Sequence, residues 1–220
     1  MIIDERMATF IDSFATPDSP FLEKLEKYSI ETNVPIIRKP MQSLIKFLLT
    51  LKAPENILEV GTAIGFSALL MAENTPYETK ITTIENYEKR IPIAKANIEG
   101  SGYKERVTLI EGDAAEVLKT LDGPYDFIFM DAAKGQYLNF FPEIMRLLSP
   151  GGILLSDNVM QDGDILESRY AVERRNRTIY ARMRDYLYEL THNDELQTVI
   201  LPVGDGVTVS VRKKNGKEKA

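Results

Sequence analysis

From residue 56 onward, short β-rich runs alternate with helical stretches, and this rhythm limits the chain to few folds. The runs cover residues 57–60, 80–84, 107–110, 125–129 and 152–156, and helical patterns cover 66–74, 88–101, 114–121 and 137–148. Such alternation predicts parallel strands with helices on both faces of the sheet. The runs are nearly all apolar, as strands buried on both sides are. A longer helix is expected over about 172–190, then strands near 196–201 and 206–212. The short link Pro202-Val203-Gly204-Asp205-Gly206 predicts a closing hairpin.

Helices precede this core. Ile3, Met7, Phe10, Ile11 and Phe14 share one helical face. Asp18 or Ser19, ahead of Pro20, starts a second helix striped by Phe21, Leu22, Leu25 and Tyr28. A third runs over about 40–51 with Met41, Leu44, Ile45, Leu48 and Leu49 inward, after an extended link at 34–37. The expected organisation is one domain: a helical cap over 1–52, an α/β core over 53–212 and a polar tail over 213–220.

The residue inventory narrows the chemistry. The 220 residues include no cysteine, which excludes a disulfide framework, a thiolate zinc site and a cysteine nucleophile. The single histidine, His192, weighs against a histidine triad and a multi-histidine metal site. It ends the long predicted helix, where a helix-end or surface role is expected. A metal here needs oxygen ligands, which points to a hard cation such as Mg²⁺. The net charge of −6 argues against a generally basic nucleic-acid binder but does not describe local patches. The N-terminus carries charges where a signal peptide needs an apolar core. No apolar run approaches the roughly 18 residues of a membrane span. A soluble cytoplasmic protein is therefore expected.

Parallel α/β sheets bind ligands beyond the carboxyl ends of their strands, at the point where strand order reverses. The first such end reads Glu59-Val60-Gly61-Thr62-Ala63-Ile64-Gly65-Phe66-Ser67. Gly61 and Gly65 let the backbone pass close to a ligand. The segment has neither the dinucleotide fingerprint nor a phosphate loop, and no lysine or arginine to neutralise a triphosphate. Glu59 suits a ligand with a positive group. Glu85, ending the second strand, can take both hydroxyls of a ribose, and Gly112-Asp113-Ala114 after the third can read an adenine edge. These features fit a nucleoside held without phosphate, and S-adenosylmethionine is such a ligand. At the other end, Asp131 follows the fourth strand and Asp157-Asn158 the fifth. Two carboxylates and an amide carbonyl make a partly open, oxygen-only cation site.

These segments, with Asp131-Ala132-Ala133-Lys134, resemble the cation-dependent class I O-methyltransferases of the catechol and caffeoyl-CoA type over almost the whole chain. The resemblance implies a Rossmann-like seven-stranded sheet, mostly parallel with an antiparallel last strand, and a homodimer. It implies Mg²⁺ on Asp131, Asp157 and Asn158, and Lys134 and Asp131 in the catalytic centre. Glu85 would bind the cofactor ribose, and Ser67 and Glu59 its methionine part. Gly61, Thr62, Gly65, Asp113, Ala114 and Asp131 would complete the cofactor site. Lys134 beside the acceptor hydroxyl either moves the proton or stabilises the oxyanion; the sequence leaves both open.

Residues 167–185 hold six arginines against three acids. Arginine binds phosphate in bidentate fashion, and Tyr170 or Tyr180 could stack on a base, although spacing alone also fits a solvated helix face. Arg174-Arg175-Asn176-Arg177-Thr178-Ile179, Leu190-Thr191-His192 and Leu201-Pro202-Val203-Gly204-Asp205-Gly206 look like the bacterial branch that methylates 5-hydroxyuridine at the tRNA wobble position. On that reading the partner is a tRNA anticodon loop, contacted by Met41, Tyr137, Arg174, Arg175 and Arg177. Arg38, Lys39, Lys213 and Lys214 would add phosphate contacts. The alternative acceptor is a small catechol or hydroxycinnamoyl compound in a flat pocket near Met41, Tyr137 and Tyr170. A third reading, a non-catalytic cofactor- or RNA-binding module, is opposed by the complete Asp131, Asp157, Asn158 and Lys134 set.

Overall fold

The computed structural model describes residues 5–214; Ile3 and the tail from 215 lie outside them. Strand β1 (Asn56–Val60) is flanked on one side by β2 (Lys80–Glu85) and β3 (Val107–Glu111). On its other side lie β4 (Tyr125–Met130), β5 (Leu148–Ser156), β7 (Val207–Arg212) and β6 (Leu196–Leu201). The order is 3-2-1-4-5-7-6, with β1 to β5 parallel and β7 antiparallel to both neighbours. The strand order reverses between β1 and β4, where a ligand crevice belongs.

Alternate strand residues feed two cores, as period-two geometry requires. Ile57, Ile81, Phe127, Phe129 and Leu155 pack with α2 (Pro20–Glu31), α3 (Lys39–Lys52) and α4 (Phe66–Glu73). Leu58, Val60, Ile128, Met130 and Leu154 pack with α6 (Ala114–Thr120), α7 (Tyr137–Leu147) and α8 (Arg177–His192). Helix α5 (Ile91–Gly100) adds Ile98 to the first core. Helix α4 is apolar around its whole circumference because α2, α3 and the sheet enclose it. The Ser19 hydroxyl caps α2 by accepting from the Leu22 N–H at 3.4 Å. The Ser19 N–H donates to Glu73 of α4 at 3.0 Å, which joins the helical segment to the core.

Three expectations shift. Helix α5 begins at Ile91 rather than 88, with a proline in its first turn, a position that needs no backbone donor. Helix α8 begins at Arg177 rather than 172, because the Arg177 guanidinium donates to the Val172 and Tyr170 carbonyls and holds the preceding chain as a loop. Helix α1 (Glu5–Asp12) is amphipathic as expected, but its apolar face is not core: Phe10 is 65% exposed, and Phe14 just beyond the helix 73%.

Candidate functional site

The carboxyl ends of β1 to β5 open into one pocket of about 560 Å³. At its centre β1 and β4 diverge. Gly61 has φ +106°, and a Cβ there would lie 2.1 Å from the Asp131 carbonyl oxygen. Only glycine permits that approach. The Gly61 and Thr62 N–H groups both donate to the Ile84 carbonyl, at 3.0 and 3.1 Å, which ties the loop to β2.

Beneath this loop runs a buried polar chain. The Thr83 hydroxyl donates to Glu59 Oε2 at 2.5 Å and lies 2.5 Å from the Thr62 hydroxyl. Thr83 has one proton, so Thr62 is the donor in the second contact. Glu59 is fully buried behind the pocket wall, and its Oε1 has no hydrogen-bond partner. Burial pushes its carboxyl up to about 7, against the Ser67 and Thr83 hydroxyls, which favour the charged form; the Asp131 and Glu85 charges push it further up. Such a carboxylate suits a cationic neighbour. An unfolded glutamate loses its proton near 4.5, whereas folded Glu59 keeps it to about 7. Between these values the folded state binds more protons, so its stability falls as pH rises. Melting of the ligand-free protein across this range should show that decline, and Glu59→Gln should make it shallower, the remainder coming from Asp157 and Asp131, whose carboxyls burial also raises. An unchanged slope in the variant would refute the assignment.

Glu85 ends β2 and lines the pocket. Its Oε2 accepts from the Ala63 N–H at 2.7 Å, and Oε1 from the Asn86 and Tyr87 N–H groups at 3.0 and 2.8 Å. Three of its roughly four acceptor sites are thus used in shaping the loop, which leaves limited capacity for a diol. Asp113 caps α6 by accepting from the Ala115 N–H at 2.9 Å and borders the pocket with Ala114. Thr62 and Ser67 line the pocket as well, whereas Gly65 is the left-handed N-cap of α4 and does not.

At the other end Asp157 is buried and Asp131 half-buried. Burial is the main cause that raises both carboxyls; their mutual repulsion adds to it at Asp157, which reaches about 7. The Asn158 side-chain amide donates to Asp131 Oδ1 at 3.1 Å, and its backbone N–H to Asp157 Oδ1 at 2.7 Å. Asn158 adopts φ +59°, a strained conformation of the kind found at functional sites. Among the described residues no three His, Cys, Asp or Glu side chains are placed to hold a metal ion together; this group has two carboxylates and one amide. Two largely desolvated carboxylates, one buried and one half-buried, held close despite repulsion, with an amide oxygen reachable by rotating Asn158, fit a hard divalent cation. Lys134, 30% exposed in a 3-10 turn (Lys134–Gln136), reaches into the same pocket with its ammonium 3.2 Å from Asp205 Oδ2.

The expected substrate residues divide. Met41 lines the pocket. Tyr137 does not: it is fully buried at the start of α7, its hydroxyl 3.1 Å from the Met130 and Asp157 carbonyls, and braces the strand ends from behind. Arg174, Arg175 and Arg177 also lie off the pocket. Arg174 and Arg175 are exposed, with Arg175 paired to Glu173, while Arg177 is spent on its own loop. Tyr170 is 88% exposed rather than a pocket wall. Lys39 is committed to Asp18 and Glu26. Lys213 follows β7, whose end pairs with the start of β5, so it stands at the sheet edge opposite the pocket. His192 stacks on Tyr188 at 3.8 Å on the surface, as expected. Arg38, Arg90 and Asp205 line the pocket without having been singled out as site residues, except Arg38 as a phosphate contact; the glycines flanking Asp205 were the available signal.

A family model described as O-methyltransferase matches residues 12–214. Catechol O-methyltransferase of Niastella koreensis is 35% identical over 127 residues, covering 56% of this chain and 58% of that protein. Caffeoyl-CoA O-methyltransferase 5 of Nicotiana tabacum is 34% identical over 182 residues, 76% of this chain and 73% of that one. A methyltransferase of Podospora anserina, solved with S-adenosylhomocysteine bound, superposes with a TM-score of 0.85 at 28% identity, covering 96% of this chain and 95% of that one.

Proposed function

This chain belongs to the O-methyltransferase family, and from that premise we propose that it methylates one of two vicinal oxygens with the help of a divalent cation. The transfer itself, from S-adenosylmethionine, is the activity of the family. The observation that supports the cation is the Asp131–Asp157 pair with Asn158, opening on the same pocket as Glu85.

When bound, S-adenosylmethionine supplies an electrophilic sulfonium methyl, and a cation on Asp131, Asp157 and Asn158 lowers the acceptor hydroxyl pKa. Glu85 orients the ribose, Asp113 and Ala114 border the adenine, and Gly61 lets the main chain approach. Glu59 supports the methionine end from behind the wall, through Thr83 and Thr62 and its own negative charge. Phe66 and Phe140 add apolar wall to the pocket. Lys134 brings a positive charge to the acceptor oxygen as that oxygen becomes anionic. Much of the acceleration comes from holding two reactants in attack geometry.

For the acceptor we favour 5-hydroxyuridine at the tRNA wobble position, whose 5-hydroxyl and 4-oxo groups form a vicinal pair. Exposed Arg174 and Tyr170, on the chain between β5 and α8, support an RNA backbone and base nearby. The second reading is a small catechol or hydroxycinnamoyl acceptor, favoured by the named relatives. Labelled S-adenosylmethionine and Mg²⁺ should be incubated with tRNA carrying 5-hydroxyuridine and, in parallel, with a catechol. The expected result is methyl transfer to the tRNA that weakens steeply with added salt. Transfer to the catechol alone would replace this acceptor with the second reading. The exposed apolar face of Met7, Phe10, Ile11 and Phe14 further supports a homodimer, which sedimentation of the purified protein reports directly.

A further inference from the structure

Asp205 stands where a third carboxylate is electrostatically unwelcome. Its charge pushes the Asp157 carboxyl further up, on top of burial and the charge of Asp131. Yet the fold goes to some length to keep it there. The β6–β7 loop turns through Gly204 and Gly206, at φ +57° and +77°. The Met160 N–H donates to the Asp205 carbonyl at 3.0 Å, and the Val159 N–H to the Gly206 carbonyl at 2.9 Å. A Cβ at Gly206 would lie 2.3 Å from Met160 Cγ, so the loop is pressed against the segment that follows Asp157 and Asn158. What this placement secures is the contact between Asp205 Oδ2 and Lys134 Nζ at 3.2 Å across the pocket, with the Asp205 side chain only 14% exposed. A local electrostatic conflict that the surrounding backbone maintains is the mark of a functional constraint.

We infer that Asp205 is a positioning residue: its carboxylate holds the Lys134 ammonium against the acceptor end of the pocket. The lysine stem has four rotatable bonds, and an unheld ammonium samples many rotamers. The turn itself is tied to α8, where Arg182 donates to the Gly135 carbonyl at 3.0 Å, so its backbone is fixed while the partly exposed Lys134 side chain still has rotamers to lose. The acid on the facing loop removes that freedom before substrate arrives, which is the preorganisation that charge stabilisation in a transition state requires. Two loops far apart in the chain, after β4 and before β7, thereby share one catalytic charge. This inference rests on the role of Lys134 proposed above.

A double-mutant cycle with Asp205→Asn and Lys134→Met tests it, with S-adenosylhomocysteine affinity and melting temperature as controls for folding. Asp205→Asn should lower kcat about tenfold, leave the KM for the acceptor and the affinity for S-adenosylhomocysteine within about twofold, and Asp205→Glu should recover most of the loss. In the Lys134→Met background, Asp205→Asn should cost nothing further. An equal loss in both backgrounds, or wild-type kcat in Asp205→Asn while Lys134→Met is impaired, would overturn the positioning role. Full activity of Lys134→Met would instead remove the catalytic role of the lysine itself.

Discussion

Replacing Asp131 by alanine should lower methyl transfer by at least about a thousandfold, equivalent to about 4 kcal/mol of transition-state stabilisation. It should also erase the response to added divalent cation. The variant should still bind S-adenosylhomocysteine, because the Glu85 loop and the Asp113 cap hold their shapes without Asp131. Nor should it be unstable. Asp131 is a half-buried carboxylate that itself raises Asp157, so its removal relieves repulsion in the cation-free fold. The substitution therefore separates function from folding: activity collapses while the melting temperature of the cation-free protein holds or rises. Rates in the presence of chelator, compared between variant and wild type, check it. A variant as active as wild type would sink the cation assignment.

Gly61→Ala should have the largest effect on the fold of any single methyl group added near the site. The new Cβ would lie 2.1 Å from the Asp131 carbonyl oxygen and 2.8 Å from its carbon, both backbone atoms that cannot step aside alone. The φ of +106° adds conformational strain. Steric and conformational costs together come to about 3–5 kcal/mol, or a fall of about 10 °C in melting temperature for a domain of this size. Cofactor binding should weaken as well, since β1 and β4 must part where they flank the ligand. Gly102→Ala is the control: its φ is +80°, but nothing lies within 4 Å of the added carbon, so only the conformational cost of about 1 kcal/mol remains. Calorimetric melts of the two variants decide the matter. Equal losses would show that the close approach of β1 and β4 is unimportant.

How far the sequence could lead depended on what kind of interaction set each feature. Strand and helix positions were readable because apolar periodicity is local, and the strand ends therefore marked Glu59, Glu85, Asp131 and Asp157 as neighbours of one crevice. Seven strands with an antiparallel last one were expected through resemblance to a family, but their 3-2-1-4-5-7-6 order was not, since nothing local specifies which strands pair. Side-chain direction was the weak point. Tyr137 opens a helix beside the site, yet its ring faces inward and stacks edge-on against Tyr186 at 5.4 Å. The arginine cluster read as a phosphate surface. In the fold Arg177 and Arg184 instead donate to the carbonyls of Val172 and Ile165 and fasten the loop before α8, while Arg182 donates to the Gly135 carbonyl in the turn after β4. Charge counts cannot separate an arginine that binds a ligand from one that satisfies backbone. Asp205 went unassigned for a related reason: its partner Lys134 is 71 positions away. The apolar stripe of α1 shows the converse, a correct amphipathic pattern whose apolar face stays exposed in the fold.

The central proposal is transfer of a methyl group from sulfur to an acceptor oxygen, with a cation held by Asp131, Asp157 and Asn158. The most direct measurement is the initial rate of labelled methyl transfer from S-adenosylmethionine to a vicinal-oxygen acceptor, taken on metal-stripped wild-type protein with chelator and then with Mg²⁺ restored. The prediction is no transfer above background in chelator, recovery on adding Mg²⁺, and the label in an alkali-stable methyl ether. An undiminished rate in chelator, or label on nitrogen, would contradict it.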